Sequence, residues 1–170
     1  MWFVMKFENH YFEEGQKYKL FVDMDDVIVD FIGGFGLLGL GTPEDYERKE
    51  GVATFWKAIN DGGVDFWSNL PWKKDGKELW EYVKKHDPTI LTTPSRKEDS
   101  KIGKRIWVDR EIGKDQEMVF AKNKFEHAKP NYILIDDYDR KIIPWREAGG
   151  IGILHTSTKD TIEQLKKLGI

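Results

Sequence analysis

Lys19-Leu20-Phe21-Val22-Asp23-Met24-Asp25-Asp26-Val27-Ile28-Val29-Asp30-Phe31 opens as an apolar run and breaks abruptly into carboxylates. A short run rich in Phe and Val has the composition of a buried strand. Its C-terminal end would present Asp23, Asp25 and Asp26 at the edge where open α/β sheets keep their sites. A lone Asp commonly serves as a turn residue or a helix cap. Three acids within four residues are different, because like charges this close repel, raise one another's pKa and need a cation or a proton between them.

The segment after this strand holds no second strand. Ile28 to Leu40 is apolar but carries Gly33, Gly34, Gly36 and Gly39, and glycine costs roughly 1 kcal/mol against alanine inside a helix, so a loop leading into a short helix is expected. Thr42-Pro43-Glu44-Asp45 is a helix start, with Thr42 as N-cap, Pro43 at the first position and acids in the first turn. Val52 to Asn60 suggests another short helix, closed by Asp61-Gly62-Gly63. Residues 31–72 therefore have the pattern of a small helical cap inserted into a core made of 1–30 and 73–170. The cap is rich in aromatics: Phe31, Phe35, Tyr46, Phe55, Trp56, Phe66, Trp67 and Trp72. These rings either staple the cap to the core or offer faces on which a flat base can stack.

Beyond Trp72 the pattern alternates regularly. Leu79, Trp80 and Val83 recur at helical spacing, followed by a strand at Pro88 to Thr92. Ser95 to Arg110 is a basic amphipathic helix carrying Ile102, Ile106 and Trp107, and Met118-Val119-Phe120 is a third strand. Asn131 to Ile135 is a fourth, ending in Asp136-Asp137. A helix over Arg140 to Ala148 is expected to be interrupted near Pro144. Ile151 to Leu154 forms a fifth strand, and Thr158 to Leu168 a closing helix capped by Ser157 or Thr158. Strands separated by helices imply parallel crossovers, hence an α/β three-layer sandwich with a parallel, Rossmann-like sheet. Residues 1–16, aromatic and acidic without a period, suggest a short edge strand or an arm over the core.

Composition narrows the function classes. A formal charge of −3 and a pI near 5.9 argue against a general nucleic-acid coat, so no stable nucleic-acid complex is expected. Cysteine is absent, which removes disulfides, thiolate nucleophiles and cysteine-bound zinc. Lys6, Glu8, Glu13 and Glu14 follow Met1 to Met5 too soon for a signal sequence or a membrane span. A cytoplasmic protein is the expectation. His10, His86, His127 and His155 show no metal-ligand spacing and are expected at surface or helix-end positions. Trp107 and Trp145 fall at core positions, and Tyr138 either lines the site or packs.

Parallel strands deliver their C-terminal ends to one rim, which brings together Asp23 and Asp25, Thr92 and Thr93, Asp136 and Asp137, with Lys122 and Lys124 nearby. An oxygen-only acidic cluster suits a hard cation that keeps several waters, which points to Mg²⁺. One Asp could then attack phosphorus, and a second, two residues on and on the same face of an extended segment, could serve as general acid and then base. A hydroxyl and an ammonium would neutralise the phosphoryl oxygens.

Asp23-Met24-Asp25, Ile90-Leu91-Thr92-Thr93, Lys124 and Ile133-Leu134-Ile135-Asp136-Asp137 resemble the four motifs of the haloacid dehalogenase (HAD) superfamily of aspartate-nucleophile phosphatases. Within it, Val22 to Phe31, Thr92-Thr93-Pro94 and the inserted cap are most similar to the 5′(3′)-deoxyribonucleotidases. The resemblance spans about residues 19–155. It implies Asp23 as nucleophile and metal ligand, and Asp25 as acid/base with its backbone carbonyl on Mg²⁺. Thr92, with Thr93, takes the place of the phosphate-binding hydroxyl, and Lys124 that of the lysine joining nucleophile and phosphate. Asp136 and Asp137 complete the metal site. Phe31 falls where that family sets an aromatic against the base, and Trp56 is a candidate for similar work. Arg96, just beyond Thr93-Pro94, is a candidate extra phosphate contact.

Asp26 stands where the family usually has glycine, adding charge and a side chain at a turn. Lys122, Lys129, Lys101 and Lys104 lie close enough to compete with Lys124 for the lysine role. The expected partner is a small phosphomonoester, with a homodimer allowed but not indicated. Three other functions stay open: a phosphatase for sugar phosphates or phosphorylated oligonucleotide ends, a phospho-acceptor signalling domain, and a catalytically silent binding module. The signalling domain fits poorly, because it would place its acceptor Asp on a later strand and have no large cap.

Overall fold

A computed structural model describes residues 18–170. The arm or strand expected over 1–16, and His10 with it, lie outside the described residues. Five parallel strands form one sheet: β1 (Lys19–Val22), β2 (Thr89–Thr92), β3 (Met118–Phe120), β4 (Tyr132–Asp136) and β5 (Ile151–Leu154), in the order β3-β2-β1-β4-β5. The strand that ends in the acidic cluster takes the centre. β1 pairs with β2 on one side and β4 on the other, and the chain switches direction across it, the point at which doubly wound sheets open a crevice at their strand ends.

Alternation along β1 splits the core in two. Leu20 and Val22 face one way, with Ile90, Ile133 and Ile135, beneath helices α5 (Gly76–Val83), α6 (Glu98–Glu111) and α8 (Thr158–Lys167). Phe21 faces the other way, with Leu91 and Leu134, under Ile142 and Trp145 of α7 (Asp139–Glu147). Trp107 and Trp145 are both fully buried, as their spacing indicates. Helix α7 runs through Pro144 without the expected interruption. Proline costs a helix its bond to the carbonyl four residues back, yet α7 continues past it to Glu147, with Ile142 and Trp145 on either side of Pro144 buried against the sheet. His155 also departs from the surface or helix-end position expected of it. It directly follows β5 and is buried, its Nδ1 2.8 Å from Thr161 Oγ1 at the start of α8.

Four short helices follow β1: α1 (Phe31–Gly36), α2 (Pro43–Glu50), α3 (Val52–Asp61) and α4 (Gly63–Ser68). Thr42 caps α2 as its sequence dictates, its hydroxyl accepting from Asp45 N at 3.2 Å. The Asp61-Gly62-Gly63 stop is real, but α4 restarts at once with Gly63 at φ +53°. Helix α4 lies tightly against α6. A Cβ added to Gly103 would sit 2.5 Å from Trp67 Cβ and 2.7 Å from the Val64 carbonyl. Gly103→Ala is therefore expected to cost about 1–3 kcal/mol by overpacking, measured by denaturant unfolding; an unchanged midpoint would show that the two helices separate freely. Among the described residues no helix is long and apolar enough to cross a membrane.

Candidate active site

The site is assembled at the C-terminal ends of β1, β2 and β4. β1 pairs with β4 through Val22 and Ile135, and Asp23 N donates to the Ile135 carbonyl at 2.9 Å. That register sets Asp23 beside Asp136. Carboxylate oxygens of Asp23, Asp136 and Asp137 lie within 4.8 Å of one another. Lys124, almost fully buried in the short 3₁₀ turn after β3, donates to both Asp23 Oδ1 and Asp136 Oδ2 at 2.6 Å. The other Asp136 oxygen accepts from Tyr138 N at 3.0 Å.

These contacts set the electrostatics. Burial pushes Asp136 up to about 6, and the Asp23 charge adds to it; Asp137, whose residue is exposed, is also raised, by partial desolvation of its carboxylate and by crowding against Asp23, Asp136 and Asp26. Burial opposes the Lys124 ammonium, but Asp23 and Asp136 outweigh it and hold the lysine above its usual value. Carboxylates that resist ionisation, converging without a histidine among them, have the chemistry of a hard-cation site. The donor set fits Mg²⁺.

Asp25 points elsewhere. Its Oδ2 accepts from Lys104 Nζ at 2.5 Å, while its Oδ1 is buried with no hydrogen-bond partner among the described residues. Burial raises its pKa, with Lys104 working against the shift. Lys104 is fully buried, donates also to Thr92 Oγ1 at 3.3 Å and lies 5.0 Å over the Trp67 ring. This lysine is the residue that pattern reading placed least well. Ile102 and Ile106, taken there as the apolar face of α6, are both exposed, and the buried face is Ser100, Gly103, Lys104, Trp107 and Val108. A cation faces inward because Asp25 is there to receive it.

The remaining candidates sort by position. Thr92 is fully buried against Lys104, whereas Thr93 lines the pocket and donates to the Ala121 carbonyl at 2.9 Å. Lys101 pairs with Glu98, Lys129 lies over Tyr132, and Lys122 is exposed. Asp26 adopts the left-handed φ of +55° open to Asp as to Gly. Its Oδ1 accepts from Ile32 N at 3.3 Å and from Lys73 at 3.4 Å, tying the start of α1 to the return into the core.

Above the acids opens a pocket of about 1090 Å³, lined by Phe31, Trp56 and Trp67 on the cap side, Thr93 to Lys97 on the β2–α6 side, and Tyr138 and Lys141 opposite. Phe31 stacks on Trp67 at 5.8 Å and 25°, and Trp56 is partly exposed. Phe35, Phe55 and Phe66 are instead buried in the common core. Most of the cap's aromatics thus serve packing; Phe31 and Trp56 face the pocket, and Trp67, itself buried in the core, backs Phe31 there.

No protein-family model matches the sequence, nor does any curated protein. Solved structures are similar in fold. A hydrolase from Streptococcus pneumoniae TIGR4 aligns with TM-score 0.52 at 14% identity, over 91% of this chain and 100% of the other. A provisionally assigned beta-phosphoglucomutase from Thermotoga maritima aligns with TM-score 0.51 at 16% identity, over 89% and 99%. A hydrolase from Pseudomonas syringae aligns with TM-score 0.50 at 12% identity, over the same shares of the two chains. At these identities what is shared is the α/β fold with its parallel sheet.

Proposed function

We propose that this chain is a Mg²⁺-dependent phosphomonoesterase of the haloacid dehalogenase type, acting on deoxyribonucleoside 5′(3′)-monophosphates through an aspartyl phosphate on Asp23. The observation that carries this is the convergence of Asp23, Asp136 and Asp137 around Lys124, with Asp25 beside them on its own lysine. The fold likeness to proteins described as hydrolases supports it. Asp23, Asp136 and Asp137 would hold the cation, which would screen the phosphoryl charge and let a carboxylate approach it.

The chain's own groups supply the rest. An Asp23 oxygen forms the bond to phosphorus as the ester P–O bond breaks, and the leaving oxygen takes the proton held on Asp25. Asp25, now a carboxylate, removes a proton from water; the water oxygen bonds to phosphorus, the P–O bond to Asp23 breaks, and inorganic phosphate leaves. Lys124 holds the nucleophile and neutralises phosphoryl oxygens, with Thr93 at the pocket edge. Phe31, Trp67 and Trp56 offer a wall for the base. Sugar phosphates are the second substrate class, favoured by the fold shared with a provisionally assigned phosphoglucomutase. Comparing kcat/KM for deoxynucleoside monophosphates and hexose phosphates decides between them, and a preference for the sugars would overturn the substrate assignment.

Protons compete with the cation for Asp136 and Asp137, whose pKa values lie near 6 and 7. Carboxylates protonated below those values do not ligate, so the Mg²⁺ concentration for half-maximal activity should rise on the order of tenfold from pH 8 to pH 6. A requirement that stays flat over this range would argue against these acids as ligands.

A further inference from the structure

The pocket is larger than one phosphate and one base require. Its volume of about 1090 Å³ lies just above the roughly 300–1,000 Å³ typical of small-ligand sites. Its charges also fall into two groups. On the floor, Lys124 matches Asp23 and Asp136, Lys104 matches Asp25 and Lys73 matches Asp26, while Asp137, the member of the candidate cation cluster that forms no ion pair among the described residues, is left for the metal. At the mouth stand Arg96 and Lys97, both exposed and both lining the pocket, and neither forms an ion pair among the described residues. The acids next to them are differently disposed: Glu98 is taken by Lys101 at 2.9 Å, and neither Glu98 nor Asp99 lines the pocket. Across the mouth, Lys141 donates to the Lys122 carbonyl at 2.8 Å, so its ammonium stays on that rim.

Arg96 and Lys97 follow Thr93 closely enough to meet the same ligand. Three residues of chain put the Cα atoms of Thr93 and Arg96 at most about 11 Å apart, and an arginine side chain covers much of that distance back toward the pocket. A phosphate seated on Lys124 and Thr93 leaves the mouth cations without an anion. The guanidinium fork of Arg96 matches phosphate oxygens in particular.

Resting on the phosphomonoesterase assignment above, we infer that the preferred substrate is a nucleotide carrying a second phosphate, held at the pocket mouth by Arg96 and Lys97 while the scissile phosphate lies on the acidic floor. A nucleoside 3′,5′-bisphosphate and the phosphorylated end of a short oligonucleotide share this chemistry.

The test compares kcat/KM for a deoxynucleoside 5′-monophosphate, the matching 3′,5′-bisphosphate and a 5′-phosphorylated trinucleotide, in the unmodified protein and in Arg96→Ala/Lys97→Ala. The expected result is at least a tenfold advantage for one or both two-phosphate substrates. That advantage should shrink as salt rises and fall to about twofold or less in the double variant, mainly through KM. An advantage for the bisphosphate alone identifies a free nucleotide as the source, and an advantage for the trinucleotide alone identifies a strand end. Equal kcat/KM for all three, or an advantage that survives the double substitution, would overturn the inference and leave the phosphatase assignment standing. Binding is read separately, by calorimetry of the monophosphate and bisphosphate on Asp23→Asn. Tighter bisphosphate binding lost with Arg96 and Lys97 supports the inference even if no substrate is turned over, and equal affinities overturn it.

Discussion

Asp23→Asn should abolish turnover, lowering kcat on the order of 10⁴-fold or more, while the protein remains folded. The amide keeps the shape of the carboxylate but cannot attack phosphorus. It also removes one of the three acids around the candidate cation site and one of the two partners of Lys124. Loss of that charge relieves repulsion on Asp136 and Asp137, both held above their usual values in part by Asp23. Thermal stability without added metal is therefore expected to be unchanged or slightly higher. Phosphate release and a melting curve on the same preparation check both halves. Activity close to that of the unmodified protein would remove Asp23 from the role of nucleophile.

Lys104→Met should reduce both stability and rate. Methionine fills a similar volume, so the loss reports charge more than packing. Removing one partner of a buried ion pair costs roughly 3–5 kcal/mol; since Asp25 keeps about a quarter of its side chain exposed, a loss of about 2–3 kcal/mol is expected here. Asp25→Asn/Lys104→Met should recover most of that stability, because no unmatched charge is left behind. The rate should fall on the order of 10²–10³-fold. Lys104 works against the burial that raises the Asp25 pKa, so without it the pH dependence governed by Asp25 should move to higher pH. A single variant with ordinary stability and an unshifted pH profile would mean that Lys104 only fills space.

Much of the fold could be read from residue patterns because its strands are the apolar runs and its helices carry their own start signals. Thr42-Pro43 opens α2, Ser157 caps α8, and Leu79, Trp80 and Val83 bury the inner face of α5. The acids were legible for the same reason, since each sits at the end of a strand whose direction follows from the crossovers. Four features were not. The burial of Lys104 depends on Asp25, 79 residues away in sequence, and hydrophobic periodicity counts a lysine as outward-facing. Helix α4 begins at a glycine pair that locally signals a stop, and it is held by packing on α6. Helix α7 keeps Pro144 because the sheet beneath it holds Trp145 in place. His155 is buried by the seating of α8. The first three depend on contacts distant in sequence, and the last on a helix that folds back within six residues.

The division of the cap's aromatics has the same origin. Composition shows a surplus of rings but not which way each one faces. The structure commits Phe35, Phe55 and Phe66 to the core, leaves Phe31 and Trp56 at the pocket, and puts Trp67 in both, buried in the core with one edge on the pocket lining. Asp26 is likewise explained by its contacts. The Asp26 side chain links Ile32 N to Lys73 across the two ends of the cap.

The central claim is a Mg²⁺-supported phosphoryl transfer at the Asp23, Asp136 and Asp137 cluster. Its most direct test is phosphate release from a deoxynucleoside monophosphate, measured with Mg²⁺ and again with excess chelator. Steady release is expected with the metal, loss of release with chelator, and recovery when Mg²⁺ is restored. Release that continues undiminished in chelator, or no release from any phosphomonoester with the metal present, would contradict it.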